Sequence, residues 1–331
     1  MKGLSRRDFG KKMSAGSLGS WFAASAVTPF AGGRKASSRN VKPMSAVLRE
    51  MIKSPGIISS PAIYDPISAR TAEWVGFRHV DLAGSALGVA TCICEPALSL
   101  EDVAEATWHI TAAVNIPLTV DAGAGFGEPA HVFHTVRLLE HAGAAGMHIE
   151  DQIYPKRFHY HVGVEHTIPA EAMVEKIHWA VEARRDQNFV IIGRTDAMRT
   201  HSFAEGIRRA NLYAEAGADV IQVFPNTVEE ARQAPKEVQA PLNYVNGLGG
   251  AGGRPTFSIQ ELEAMGYKFV FHAFASSLAS YKAVRDVLVR LKEKGSSGME
   301  PAEYRPIAKE MQEVIGMPEY IHIENATTEK T

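Results

Sequence analysis

Cysteine is nearly absent. The chain has two, Cys92 and Cys94, in 331 residues. One residue apart, they would make a strained disulfide, so no disulfide framework holds this fold. They are expected as small buried side chains, with a redox or metal pair as the alternative. A charge excess of either sign is also missing. Lys and Arg total 35 against 37 Asp and Glu, a formal net charge of −2. That balance gives no basic face for nucleic acid, while a small anionic metabolite stays compatible, because only local charge matters to it. Beyond the N-terminus no apolar run reaches the length of a membrane span. The remaining composition is 45% hydrophobic, enough for a large core. The length exceeds the usual single domain, yet α/β barrels reach it undivided.

The N-terminus reads as a targeting segment. Ser5-Arg6-Arg7-Asp8-Phe9-Gly10-Lys11 resembles the twin-arginine export motif. A weakly apolar stretch rich in Gly, Ala and Ser follows over residues 13–26, and Ala24-Ser25-Ala26 offers a small-residue cleavage site. Residues 1–33 are therefore expected to be a signal peptide and leader. A periplasmic location follows, or a cytoplasmic one if the signal is not used.

From residue 57 short apolar runs alternate with longer amphipathic ones. Strands are expected over 57–64, 79–83, 118–122, 147–151, 189–195, 220–224, 242–246 and 269–274, each bounded by Gly, Pro, Asn or Asp. Helical patterns lie between them. Ser68 is a candidate N-cap, Ser99-Leu-Glu-Asp102 reads as a capping box, and Pro129 suits a first helical turn. Gly217, Gly266 and Gly295 stand where helices should stop. Eight strands each followed by a helix predict a (β/α)8 TIM barrel, with an open doubly wound sheet as the rival. The barrel is expected over 34–298 with an N-terminal helix in 34–55. A short helix and a polar tail are expected in 299–331.

Barrel enzymes place their chemistry where strands end. Two strand ends stand out. Pro117-Leu-Thr-Val-Asp121 runs into Ala-Gly-Ala-Gly-Phe-Gly127, and Gly146-Met-His-Ile-Glu150-Asp151-Gln152 runs into Tyr154-Pro-Lys156-Arg157-Phe-His159-Tyr160-His161. Carboxylates followed by glycines and a basic loop suit a hard divalent cation and an anionic ligand. Mg2+ binds few protein carboxylates and keeps some waters. Lys156, Arg157, His159 and His161 then supply charge or protons to a bound acid. Tyr64, Asp81, Arg194 and Asn246 fall at further strand ends on the same mouth.

These residues resemble the isocitrate lyase / phosphoenolpyruvate mutase superfamily. The motifs Tyr64-Asp-Pro-Ile-Ser-Ala-Arg70, Val-Asp121-Ala with Gly-Phe-Gly127, His148-Ile-Glu150-Asp-Gln152, Lys156-Arg157 and Arg194-Thr-Asp196-Ala all fall in family order. The resemblance implies a Mg2+ enzyme, with Mn2+ as the alternative ion, acting on small 2-oxo or 2-hydroxy acids through an enolate. It implies a homodimer or homotetramer in which the eighth helix is exchanged between subunits. It makes Asp121 the direct metal ligand and Glu150 a second metal carboxylate acting through water, with Glu95 near the metal waters. Gly84 and Ser85 match the loop that holds the 2-oxo acid, and Arg194 the clamp on its carboxylate.

Three positions depart from the pattern. Phe158 stands where lyases of this superfamily carry a proton-donating Cys, which leaves His159, Tyr160 or His161 for the acid role. Gly123 replaces the second acid of an Asp-Ala-Asp run, and Asp81 could compensate at the metal. Ala83 replaces a Ser. The expectation is a C–C lyase of a small 2-oxo or 2-hydroxy carboxylic acid. The alternatives are a phosphonate P–C mutase or hydrolase, and a degenerate barrel that only binds a carboxylic acid.

Overall fold

The computed structural model describes residues 42–163, 166–247 and 253–329. The expected leader and most of the glycine-rich stretch 247–253 lie outside them. The elements run α1 (Met44–Lys53), β1 (Ile58–Ile63), α2 (Pro66–Trp74), β2 (Val80–Leu82), α3 (Gly84–Thr91), α4 (Leu100–Thr111), β3 (Leu118–Asp121), α5 (Pro129–His141) and β4 (Gly146–Glu150). They continue with α6 (Ala170–Ala183), β5 (Val190–Arg194), α7 (Ala197–Thr200), α8 (Phe203–Glu215), β6 (Val220–Val223), α9 (Val228–Glu237), β7 (Leu242–Gly247), α10 (Ile259–Met265), β8 (Phe269–Ala273), α11 (Ala275–Lys294), α12 (Pro301–Val314) and α13 (Met317–Thr327).

The eight strands form a closed barrel in sequence order, all neighbours parallel, with β1 beside β8. This is the (β/α)8 barrel expected from the alternation. Strand-borne Val and Ile such as Val120, Ile149, Ile191 and Ile221 are buried against the surrounding helices. The start of the barrel is sealed by α1, whose Leu48 packs with Ile58, Val190, Val220 and Phe269. Arg49 locks that helix with a two-pronged contact to Asp219, at 2.9 and 3.0 Å. Gly146 opens β4 because a Cβ there would lie 2.5 Å from the Val190 carbonyl oxygen.

Local signals translate directly into helix starts. Ser99 and Asp102 form the expected capping box on α4. At α2 the cap is Asp65, which accepts from the Ser68 backbone N–H while the Ser68 hydroxyl takes the Asp65 N–H. Ser68 is thus the third helical residue and not the cap. Pro66, with its φ suited to a first helical turn, starts the helix earlier. Three helices, α3, α7 and α9, have no counterpart in the sequence reading. The expected polar tail instead contains α13. Cys92 and Cys94 are free and exposed, against the expectation of burial. They lie at and just beyond the end of α3, on the rim of the barrel mouth.

Alternation along β4 splits its two terminal acids. Glu150 points to the barrel interior. Asp151 turns outward and accepts from Thr195 Oγ1 at 2.7 Å, Tyr213 Oη at 2.8 Å and the Asp196 backbone at 3.0 Å, with Arg209 alongside at 3.1 Å. Asp151 ties β4, β5 and α8 together, and so fixes the height at which Glu150 meets the mouth.

Candidate active site

Strand ends, α3 and the segment after β4 enclose a cavity of about 90 Å³ at the carboxyl end of the barrel. Its walls include Asp121, Arg194, Ser85 and His161. A smaller recess of about 40 Å³ adjoins it beside Gly84, Asp121 and Gly123. The site is therefore where barrel geometry puts it.

Glu150 is its electrostatic centre. It is 1% exposed. Its Oε1 lies 3.0 Å from Lys156 Nζ and its Oε2 2.9 Å from Arg194 Nη1. Neither oxygen takes a well-aligned hydrogen bond, so both keep acceptor capacity in a buried place. Burial pushes the carboxyl up to about 7 even with both cations beside it. Lys156 also lies 2.5 Å from Glu95 Oε1. Burial alone would discharge this lysine, but Glu150 and Glu95 hold its pKa well above the ordinary value. Lys156 is consequently a fixed cation. Arg194 reaches Asp196 at 3.1 Å and donates to Tyr160 Oη at 2.9 Å. Gln152 donates to the same Asp196.

Asp121 differs from the other acids. Its Oδ1 accepts from the Gly123 backbone N–H at 2.9 Å. Its Oδ2 lies 3.4 Å from the point a Cβ would take at Gly84, so that glycine permits the close approach. Among the described residues Asp121 is in no ion pair, although Lys156 and Arg194 are near enough to outweigh burial and hold its pKa down. It is ionised, half-buried and outside the ion-pair network. A Cβ at Gly123 would meet nothing within 4 Å, so the place of the missing second acid is open space.

The expected metal set is only partly assembled. Asp121, Glu150 and Glu95 converge on the mouth. Asp81, the expected compensating acid, is already engaged by other side chains. Its Oδ2 lies 2.5 Å from His148 Nε2 and accepts from Thr119 Oγ1 at 2.6 Å. A buried carboxylate pairs with the nearest cation, here an imidazole whose pKa Asp81 raises against the effect of burial. Among the described residues no three His, Cys, Asp or Glu side chains form a metal cage. Mg2+ does not require one, since one or two carboxylates and several waters suffice. The free oxygen of Asp121, the unspent lone pairs of Glu150 and the open space at Gly123 fit such an ion.

Gly84 and Ser85 begin α3, where backbone N–H groups have no partner within the helix and suit an anion. His161 lines the cavity, 3.6 Å from Glu95 Oε2. His159 does not reach the cavity and is exposed. Two further candidates are held elsewhere. Tyr64 packs beside Ala62, Ala83 and Ala86. Asn246 spends its amide on the Phe257 backbone, donating at 2.8 Å and accepting at 3.2 Å. Residues the sequence reading passed over are His148, Gln222 and Arg254, all on the cavity wall. For His148 a signal existed: it stands two residues before Glu150 on one strand, hence on the same face.

Residues 48–292 match the family model described as phosphoenolpyruvate phosphomutase. The chain belongs to that family. Within it, the 2-methylisocitrate lyase of Aeropyrum pernix is 40% identical over 254 residues, covering 76% of this chain and 80% of that one. Among solved members of the superfamily, oxaloacetate acetylhydrolase bound to 3,3-difluorooxalacetate superposes with a TM-score of 0.79 at 28% identity, covering 87% and 98% of the two chains. A phosphonopyruvate hydrolase complex with oxalate and Mg2+ superposes at 0.77 and 27% identity, covering 87% and 100%. The relatives in and around this family are named as carbon–carbon lyases, a phosphorylmutase and hydrolases, and the chain is an enzyme of this superfamily.

Below the mouth a polar chain runs through the barrel. Ser60 Oγ lies 2.8 Å from His79 Nδ1, and His79 Nε2 lies 3.3 Å from Thr119 Oγ1, which donates to Asp81. Burial drops the His79 pKa to about 4 from 6.5. Above pH 6.5 His79 is neutral whether folded or unfolded. Between 6.5 and 4 the unfolded imidazole takes a proton that the buried one refuses, so folding loses up to about 3 kcal/mol as pH falls. The raised pKa of His148 adds no slope in this window, because its stabilisation is already complete below 6.5. Glu150, whose carboxyl burial raises to about 7, works in the opposite sense over the same window, so the His79 contribution is read as a difference between proteins: in urea unfolding at pH 7 and 4.5, His79→Gln should lose less stability, or gain more, on acidification than the parent, by up to about 3 kcal/mol. An equal pH dependence in both proteins would contradict a neutral buried His79.

Proposed function

We propose that this protein is a Mg2+-dependent lyase that cleaves a C–C bond of a small 2-oxo or 2-hydroxy carboxylic acid through an enolate. The observation that carries the reading is Asp121, an ionised, half-buried carboxylate with no ion pair among the described residues, at the edge of a cavity whose opposite charge is Arg194. Asp121 and, through water, Glu150 would hold the ion, with Glu95 behind them. A divalent cation supplies Lewis acidity that stabilises negative charge on the 2-oxo oxygen.

The chain's own residues do the rest. The α3 backbone at Gly84 and Ser85 and the Arg194 guanidinium hold the substrate carboxylate. When the C–C bond breaks, its electron pair passes into the enolate, and Arg194 offsets that charge. Lys156 keeps its proton throughout and locks Glu95 to Glu150. Tyr160 lies across both cations, its ring 4.2 Å from Lys156 Nζ, and excludes water from that side. His161, partly exposed beside Glu95, is the group placed to exchange a proton between solvent and the reacting carbon.

Oxalate, which mimics the enolate, tests the site. Oxalate with Mg2+ should raise the melting temperature, equivalent to about 2.7 kcal/mol at ~100 times the dissociation constant. Asp121→Asn should abolish the shift. A shift from oxalate alone, unchanged by Mg2+ and by Asp121→Asn, would sink the metal reading. Release of phosphate from phosphonopyruvate, without cleavage of any C–C substrate, would move the reaction to phosphonate chemistry.

The acid role separates two histidines. His161→Gln should slow turnover by about 10²-fold while leaving the oxalate shift in place. His159→Gln should change neither. The reverse pattern would transfer the role to His159.

The subunit is also proposed to work as an oligomer. Helix α11 has 20 residues, and only Ser277 among them is buried. Leu278, Tyr281, Val284 and Leu288 are all more than half exposed. Apolar surface of this extent on a barrel's last helix marks an interface, in keeping with exchange of that helix between subunits. Light scattering after size exclusion should give a dimer or tetramer, and a monomer at micromolar concentration would overturn the assignment.

A further inference from the structure

Arg254 has no role in the site as described so far. It lines the main cavity, and its guanidinium stands 4.7 Å from the centroid of the Phe224 ring. Its Nε and Nη1 are buried and have no hydrogen-bond partner. Among the described residues it forms no ion pair. The other cations of the mouth are matched, Lys156 by Glu95 and Glu150, and Arg194 by Glu150 and Asp196. Arg194 and Arg199 crowd the same ring, at 4.7 and 5.8 Å from its centroid. Cation–π contact with Phe224 offsets part of the cost of burying Arg254. It leaves the donors themselves unsatisfied, and donors left so are expensive.

We infer that Arg254 reads a second carboxylate on the substrate, at the end of the molecule away from the carboxylate held by Arg194. This rests on the enolate-site reading above and adds a specificity-determining residue to it. Two features select a carboxylate on a short hydrocarbon chain. A guanidinium presents parallel N–H donors that match a carboxylate edge. The wall beside it is apolar, made by Phe224, Val245, Phe271 and Phe274, which suits the methylene or methyl carbons of a small diacid. The nearness of Arg199 adds to the demand for an anion, since burial and Arg199 together lower the Arg254 pKa.

Calorimetry with Mg2+ present separates the two ends of the site. Oxalate probes only the Asp121–Arg194 end, while 3,3-difluorooxaloacetate adds a second carboxylate. In Arg254→Gln the dissociation constant for the difluoro diacid should rise about 10- to 100-fold, the range for one charge-assisted contact. That for oxalate should stay within about 2-fold, as expected for a group that does not touch it. Arg254→Lys keeps the charge without the fork and should recover part of the loss. Because Arg254 has no ion pair among the described residues and its buried Nε and Nη1 have no hydrogen-bond partner, Arg254→Gln loses only the Phe224 contact and should melt close to the parent, which checks that the variant folds. Equal weakening of both ligands, or of neither, would overturn the inference. If the parent binds the diacid in an Arg254-dependent way but not oxalate, the Arg254–carboxylate contact stands, while the enolate-site reading falls and with it the assignment of Arg254 to the far end of the substrate. If the parent binds neither ligand, both fall.

Discussion

The site depends on one constraint, the burial of Glu150 between Lys156 and Arg194. A carboxylate so enclosed cannot be left without cations, and the two that serve it come from different segments. Arg194 arrives on the adjacent strand β5, and Lys156 from the stretch after β4. Each cation carries a second acid with it, Asp196 for Arg194 and Glu95 for Lys156. One buried charge thereby organises most of the mouth. Removing a member of such a set leaves an unpaired charge in a place with little water, which costs far more than the pair itself contributes. The ion pairs that define the mouth are formed within the chain itself, without a ligand.

Two acids remain outside that set, with different fates. Asp81 lies lower in the barrel and is neutralised by His148 and Thr119. Among the described residues Asp121 has only a backbone donor. This difference turns a row of acids at strand ends into a site with a direction. Compensated charge lines one wall, and a free carboxylate waits at the other. The open space at Gly123 lies on the free side. Losing the second acid of the family's run has therefore opened room beside Asp121 without dismantling its surroundings.

Apolar surface shows a similar economy. The helices over the middle strands bury their apolar faces on the barrel, whereas α11, α12 and α13 leave many of theirs in solvent. The chain closes its sheet alone, since β8 pairs with β1, but does not cover its last helices alone. Closure and coverage are separate requirements. Backbone hydrogen bonds enforce the first, and the oligomer proposed above would meet the second.

The barrel was legible in the sequence because it rests on local signals. Eight apolar runs with turn residues between them appear as eight strands, displaced by one residue at most of their ends. Capping pairs such as Ser99 with Asp102 need only neighbours in the chain. Asp121, Glu150 and Arg194 could be placed at the mouth by the same logic, since strand ends share one rim, and the family resemblance supplied their expected roles. The chain alone could not decide which polar group pairs with which. Asp81 went to His148, 67 residues away, and Asn246 to Phe257. Tyr64 packed against alanines, and Arg254 came to rest on Phe224. Those outcomes depend on distances across the barrel and on how much water each group keeps. Both quantities exist only once the sheet has closed.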